Sequence, residues 1–92
     1  MARKKKLIHK VGKKKNIGKC KFCSCDQYEV LDIHRIIEGK DGGVYSDWNT
    51  VVCCASCHRK IHAGLIKIER HYPTISGKMI LHYWLDGVEH WD

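Results

Sequence analysis

The chain has 92 residues, 43% of them apolar, with a formal charge of +7 and six cysteines. That length leaves room for one small domain and excludes two; such a domain buries only about 60–65% of its unfolded surface, so an apolar core alone is marginal and a further clamp is needed. No run approaches the roughly 20 apolar residues of a membrane span, and the opening stretch lacks the apolar centre of a secretory signal, so a soluble, intracellular (cytoplasmic) protein with no membrane partner is expected.

Charge divides the chain before any element does. Arg3, Lys4, Lys5, Lys6, Lys10, Lys13, Lys14, Lys15, Lys19 and Lys21 carry ten positive charges with no acid among them, leaving seven basic against ten acidic residues afterwards. With Gly12 and Gly18 inside a lysine-rich run and no apolar period, residues 1–18 read as a flexible basic arm. Lysines strung along phosphates release counterions, so Lys4, Lys5, Lys6, Lys13, Lys14 and Lys15 are assigned to nucleic acid, with sequence-tolerant affinity that falls with salt. The bland alternative is a solvated tail or an address signal. The folded domain is expected over 19–92. A tight turn at 20–23 precedes a β-branched, half-alternating run read as a strand over 29–37. Three glycines within Gly39-Lys-Asp-Gly-Gly43 make a loop in which the chain can reverse or approach another group closely, and 44–48 reads as a short return segment. A brief apolar stretch over 49–53 leads into a helix over 55–63, with Gly64 as its left-handed cap. Strand-like runs over 65–72, 78–84 and 88–91 follow, the last two joined by a hairpin turn at Leu85-Asp-Gly87. The fold class is α+β, with extra C-terminal β-strands over 65–92.

Two cysteine pairs frame the centre. Cys20-x-x-Cys23 and Cys54-x-x-Cys57 are separated by thirty residues. In a reducing compartment disulfides seldom persist, and four thiolates in two such pairs make a tetrahedral structural zinc site. Cys53 could replace Cys54 and Cys25 could replace Cys23, but only the chosen pairs keep the two-residue spacer; the leftover thiols read as small packing groups. His58 and His62 lie four positions apart, one helical turn, and would project from one face of the helix close enough to share a cation. His34 on the strand and Asn49 in the loop add two groups that zinc alone would not require.

The order Cys20-x-x-Cys23, Leu31-Asp-Ile-His34-Arg-Ile36, Gly42-Gly43, Asn49, Cys54-x-x-Cys57-His58 and His62 resembles the HNH nuclease family in its zinc-stabilised branch, over residues 20–64. The resemblance implies a small ββα-metal (HNH, or His-Me finger) core around one divalent ion, with a structural four-cysteine zinc site beside it. It implies a metal-dependent DNA endonuclease in which His58 and His62 bind the ion and Asn49 pins the loop that aims the strand histidine. Members often carry Asp-His or His-His on the strand, a ligand followed by the base that activates water. Here the pair is His34-Arg35, and an arginine cannot accept a proton at neutral pH.

Two accounts therefore stay open. Either His34 is the base and His58 and His62 hold the ion, or His34 is a third ligand and Tyr45, His71 or a second water serves as base. In both, Arg35 is assigned to a phosphate oxygen. Oxygen-rich phosphate ligands suit Mg2+ or Mn2+, while imidazoles also accept Zn2+ or Ni2+. The expected partner is duplex DNA, with a homodimer or a larger phage complex as further assemblies; short standalone forms resemble phage and prokaryotic proteins. A noncatalytic zinc-stabilised nucleic-acid-binding module is the main rival, and a zinc-built protein-interaction module the third reading. Trp84 and Trp91 are expected to cover the sheet and metal core, and Trp48 to pack rather than contact ligand.

Overall fold

Alternation of inward and outward side chains builds the centre of the molecule. In the computed structural model, which describes residues 7–92, strand β1 (Leu31–Arg35) pairs antiparallel with β2 (Thr50–Cys54), Asp32 opposite Cys53 and His34 opposite Val51. The expected strand over 29–37 is shortened at both ends. Tyr28–Val30 forms a 3-10 turn, and after Arg35 the chain leaves the ladder for the glycine loop. The return partner is β2; residues 44–48 form no strand, because the chain tightens into another 3-10 turn, Asp47–Asn49. Gly43 shows why the loop needs glycine: a Cβ there would lie 1.6 Å from the Ile37 carbonyl oxygen and 2.9 Å from Asn49 Nδ2.

Helix α2 (Ala55–His62) follows β2 without a connecting residue. Cys54 caps it, its Sγ accepting from the Cys57 amide at 3.4 Å, which satisfies one of the first-turn donors. The helix ends as expected, with Gly64 in the left-handed region at φ 82°. The chain then forms an antiparallel sheet of β3 (Ile66–Pro73), β4 (Met79–Leu85) and β5 (Val88–Trp91) in the order β3-β4-β5. Asp86 and Gly87, at φ 51° and 83°, turn the β4–β5 hairpin with the paired left-handed residues that match strand twist.

The basic arm is a correction. Residues 10–17 fold as a helix, α1 (Lys10–Ile17), started by His9, whose Nδ1 accepts from the Gly12 amide at 3.0 Å, and ended by Gly18 at φ 70°. Lys14 and Lys15 in its last turn complement the negative end of the helix dipole. Polar anchors hold it: Lys13 Nζ donates to Thr50 Oγ1 at 2.7 Å and Lys14 Nζ to the Leu31 carbonyl at 3.2 Å. Lys4, Lys5 and Lys6 lie outside the described residues.

The core joins Cys20, Leu31, Val52, Cys53, Cys54, Cys57 and Ile66, all buried. Val51, Leu81 and Tyr83 extend it beneath the C-terminal sheet, with Phe22 edge-on to Tyr83 at 5.1 Å. Burying Leu31 or Ile66 contributes about 1.5–3 kcal/mol each, yet four of these ten residues are cysteines. Among the described residues the result is a small α+β protein with two α-helices, two antiparallel sheets and a cysteine cluster in its core. Among the described residues no helix is long and apolar enough to cross a membrane.

Candidate metal centres

Cys20, Cys23, Cys54 and Cys57 converge. Their sulfurs all lie within 4.8 Å of one another, and Cys23 Sγ is 3.6 Å from Cys54 Sγ. A tetrahedral zinc with Zn–S bonds of about 2.3 Å implies sulfur–sulfur edges of about 3.8 Å, so the four residues fit that ion. Tight local structure aims the first pair: the Ser24 amide donates to the Cys20 carbonyl at 3.1 Å, with Ser24 itself at φ 63°, and the Phe22 amide donates to Cys20 Sγ at 3.3 Å. Burial would raise the Cys20 thiol, but the amides of Cys54, Cys23 and Phe22 outweigh it and bring it down to about 7. Burial drives Cys57 upward. The leftover thiols behave as packing groups. Cys53 is wholly buried, and burial with the charges of Cys20, Asp32 and Cys54 pushes it to about 12, while Cys25 packs half-buried on the same core.

Three histidines form a second group on the other side of α2. His34 comes from β1, His58 and His62 from one face of the helix, and one ring nitrogen of each lies within 4.8 Å of the others. Ring centroids are 5.2 Å apart for His34 and His58, 5.5 Å for His34 and His62, and 4.9 Å for His58 and His62. Burial, reinforced by His58 and His62, pushes His34 down to about 4 against the pull of Glu38, leaving its lone pair free at neutral pH.

Asp32 completes this group and was not among the expected residues. Two positions before His34 on β1, it faces the same side, and its Oδ2 lies 3.1 Å from His58 Nδ1. A carboxylate only accepts, so Nδ1 is the donor in this contact and Nε2 is the nitrogen left for a metal, the orientation that metal-bound histidines take from a carboxylate behind them. The signal was present in Leu31-Asp-Ile-His34: strand period two puts Asp32 and His34 on one face.

Asn49 is buried and pins the loop as expected. It accepts from the Ile37 amide at 2.7 Å and donates to the carbonyls of Ile37 at 3.0 Å and Val44 at 2.9 Å. Arg35 goes elsewhere. On the face of β1 opposite His34, its guanidinium lies 4.5 Å from the Tyr45 ring and against Gly39, away from the three imidazoles. Lys10 Nζ approaches the same Tyr45 ring at 3.6 Å, so Tyr45 is taken as a cation platform. His71 is on β3 with Nε2 at 3.1 Å from the Thr50 carbonyl, and neither it nor Tyr45 belongs to the histidine group. Glu38 does border it, lining a groove of about 360 Å³ with His34, His62 and Lys67.

The expected nucleic-acid lysines part ways. Lys15 is exposed, whereas Lys13 is turned inward onto Thr50 and Asp47, and Lys14 lies over the Tyr28 ring at 4.8 Å. The tryptophans meet the expectation in part, covering the sheet but not the cysteine core. Trp84 and Trp91 sit on the outer face of the three-stranded sheet around His82, and Trp48 is 48% exposed. Comparison with protein-family models, with curated proteins and with solved structures finds no match to this chain.

Proposed function

We propose that the protein is a metal-dependent DNA endonuclease with a zinc-stabilised ββα-metal core of the HNH type, formed by β1, β2 and α2. One observation carries this reading: three imidazoles from two elements converge, with Asp32 fixing the tautomer of one and Asn49 holding the loop after the strand. A zinc scaffold alone has no use for that arrangement.

Of the two roles open to His34, ligand is the better supported, because it stands at the same mutual distances as His58 and His62. His34, His58 and His62 would hold the divalent ion, Mg2+ or Mn2+ with Zn2+ and Ni2+ also compatible with imidazole. A bound ion would supply positive charge to a nonbridging phosphate oxygen and to the leaving 3′ oxygen. Water must then lose a proton as its oxygen attacks phosphorus and the P–O3′ bond breaks. Arg35 cannot take that proton, and Tyr45 and His71 are engaged elsewhere. We assign it to Glu38, which shares the groove with His34 and His62. Arg35 and Lys10 on the opposite face of β1 suit the flanking phosphates, and Lys15 the backbone beyond.

The test is incubation of supercoiled DNA with the zinc-loaded protein and Mg2+ or Mn2+. Relaxed or linear product that disappears in both His34→Ala and His58→Ala, with DNA retention intact, is the expected result. Retarded but uncut DNA would replace the reading with a noncatalytic binding module, which the turned-away Arg35 favours. Neither cleavage nor retention would leave a protein-interaction module.

A further inference from the structure

Far from both cysteine and histidine groups, the C-terminal sheet carries a titratable side chain that the proposed chemistry does not use. Leu81 and Tyr83 on β4 point into the core, so His82 between them points to the outer face, yet it is only 7% exposed. Aromatic rings cover it: Trp91 from β5 stacks on the imidazole at 3.7 Å and 17°, and Trp84 lies 4.4 Å away. Both ring nitrogens meet carboxylates. Nδ1 is 2.8 Å from Glu69 Oε1 on β3, and Nε2 is 2.5 Å from Glu89 Oε2 on β5.

That double contact sets the protonation state by counting donors. A neutral imidazole has one N–H, and an ionised carboxylate has none, so a neutral His82 leaves one of the two short contacts as lone pair against lone pair. Only the imidazolium satisfies both, and the flat stack on Trp91 gives the cation a π face as well. The backbone is shaped to allow this. A β-bulge between Ile68 and Arg70 inserts Glu69 as an extra residue on β3, keeping Ile66, Ile68 and His71 on the inner side while Glu69 reaches His82. The Glu69 carboxylate is held ionised by further contacts, accepting from Tyr72 Oη at 2.6 Å and lying 3.5 Å from Arg70 Nε. Lys67, exposed and opposite Trp84, is the remaining charge on this face of β3. On the inner face His90 stacks on Tyr83 and lies 3.9 Å from Asp92, out of reach of the bridge.

We propose that Glu69, His82 and Glu89 form a proton-loaded clasp that ties β3, β4 and β5 together when His82 carries two ring protons and releases the edge strand β5 when it carries one. Both carboxylates lie on flanking strands and the imidazole on the central one, so loss of one ring proton breaks the contact to one flanking strand and leaves the other without its charge assistance. The strand first freed is the edge strand β5, whose other ties include its ladder to β4, the Tyr72–Trp91 and His90–Tyr83 ring contacts, the Asp92 amide donating to the Leu81 carbonyl and the Lys21–Asp92 pair. The sign follows from each partner. The carboxylates raise His82 above its ordinary 6.5 against the opposing effect of burial, so its contribution is complete below 6.5 and lost as pH rises through the raised value. Tyr72 and His82 lower Glu69 from 4.5, so the clasp fails again in strong acid as pH falls through that depressed value.

The experiment is an NMR titration of the His82 imidazole in the full, zinc-loaded chain, read on both ring nitrogens, with the Trp91 indole and β5 amides as reporters. His82 is expected to hold both ring protons at pH 6.5, to titrate above that value, and to move the β5 signals with the same midpoint. Glu89→Gln supplies an amide donor to Nε2, so a neutral ring then satisfies both contacts; the midpoint should fall and the β5 signals should become indifferent to pH across it. A His82 that titrates at or below 6.5, or a midpoint unchanged in Glu89→Gln, overturns the clasp.

Discussion

The two ligand groups share one helix and differ in almost everything else. Cys57 and His58 are neighbours on α2, yet Cys57 turns into the core beside Cys20 and Cys54, while His58 and the exposed His62 turn to the surface beneath β1. Four sulfurs complete a tetrahedron and leave no position for substrate, whereas three imidazoles leave coordination open. The cysteine group replaces apolar core that a chain of this length cannot supply. The histidine group runs from the buried His34 to the exposed His62, and these two line a groove. On the proposed reading the cysteine group is a closed site that holds the fold and the histidine group an open one that exchanges ligands, and each experiment below can break that division.

Metal removal should separate the two most strongly. Stripping the cysteine site with a strong chelator, or Cys20→Ser, should abolish cooperative unfolding, since structural zinc in small domains is worth on the order of 10 kcal/mol. His62→Ala should leave the melting transition nearly unchanged, because that ring is exposed. Circular dichroism melts of both variants decide it. If His62→Ala unfolds the chain, the histidine group is structural and the division fails.

The base comes next. Glu38→Gln should lower the cleavage rate by about 10²–10⁴-fold while divalent-ion affinity and melting temperature hold. The carboxylate borders the groove without belonging to the histidine group. An unchanged rate in a protein that does cleave would return the proton to His34 or to a second water and leave the nuclease reading standing.

Asp32 probes the open site more gently. Asp32→Asn keeps the shape but offers His58 Nδ1 an amide instead of a carboxylate, and affinity of the histidine group for Mn2+ or Co2+ should drop by about 10–100-fold. The cysteine site should keep its zinc. Titration of zinc-loaded protein with Co2+, read in its visible absorption, measures the loss directly.

Much of this division could be read before the fold was known, and the reasons are local. Cys-x-x-Cys spacing, the His58–His62 turn and the Asp86-Gly87 hairpin each depend on a few consecutive residues. What was illegible depends on partners far along the chain. Whether 44–48 or 50–54 returns to β1 turns on how the glycine loop closes against Asn49. The HNH resemblance puts Arg35 where a base would stand, but its direction is set by Tyr45 and Gly39. Glu69, His82 and Glu89 meet only because a bulge shifts one strand. Helix α1 escaped notice because it buries no apolar stripe; what holds it is lysine bonded to backbone and hydroxyl oxygens 17 and 37 positions away.

Those lysines give the finest test, since the same residue type does two jobs on one helix. Lys13 is half-buried; burial lowers its pKa and Asp47 draws it partly back, and its ammonium reaches the fully buried Thr50. Removing the charge while keeping most of the stem, as in Lys13→Met, leaves Thr50 Oγ1 still donating to the Ser46 carbonyl at 2.7 Å but without its own donor. The cost should be about 1–2 kcal/mol in stability. Lys15 is exposed and makes no comparable contact, so Lys15→Ala should stay within about 0.5 kcal/mol of wild type. On DNA the order should reverse. Lys15→Ala should flatten the slope of log affinity against log salt by about 1, and Lys13→Met should leave it unchanged. If both variants flatten the slope equally and neither melts earlier, the inward Lys13 is free to reach phosphate, and α1 is a nucleic-acid arm along its whole length rather than a helix fastened to the body.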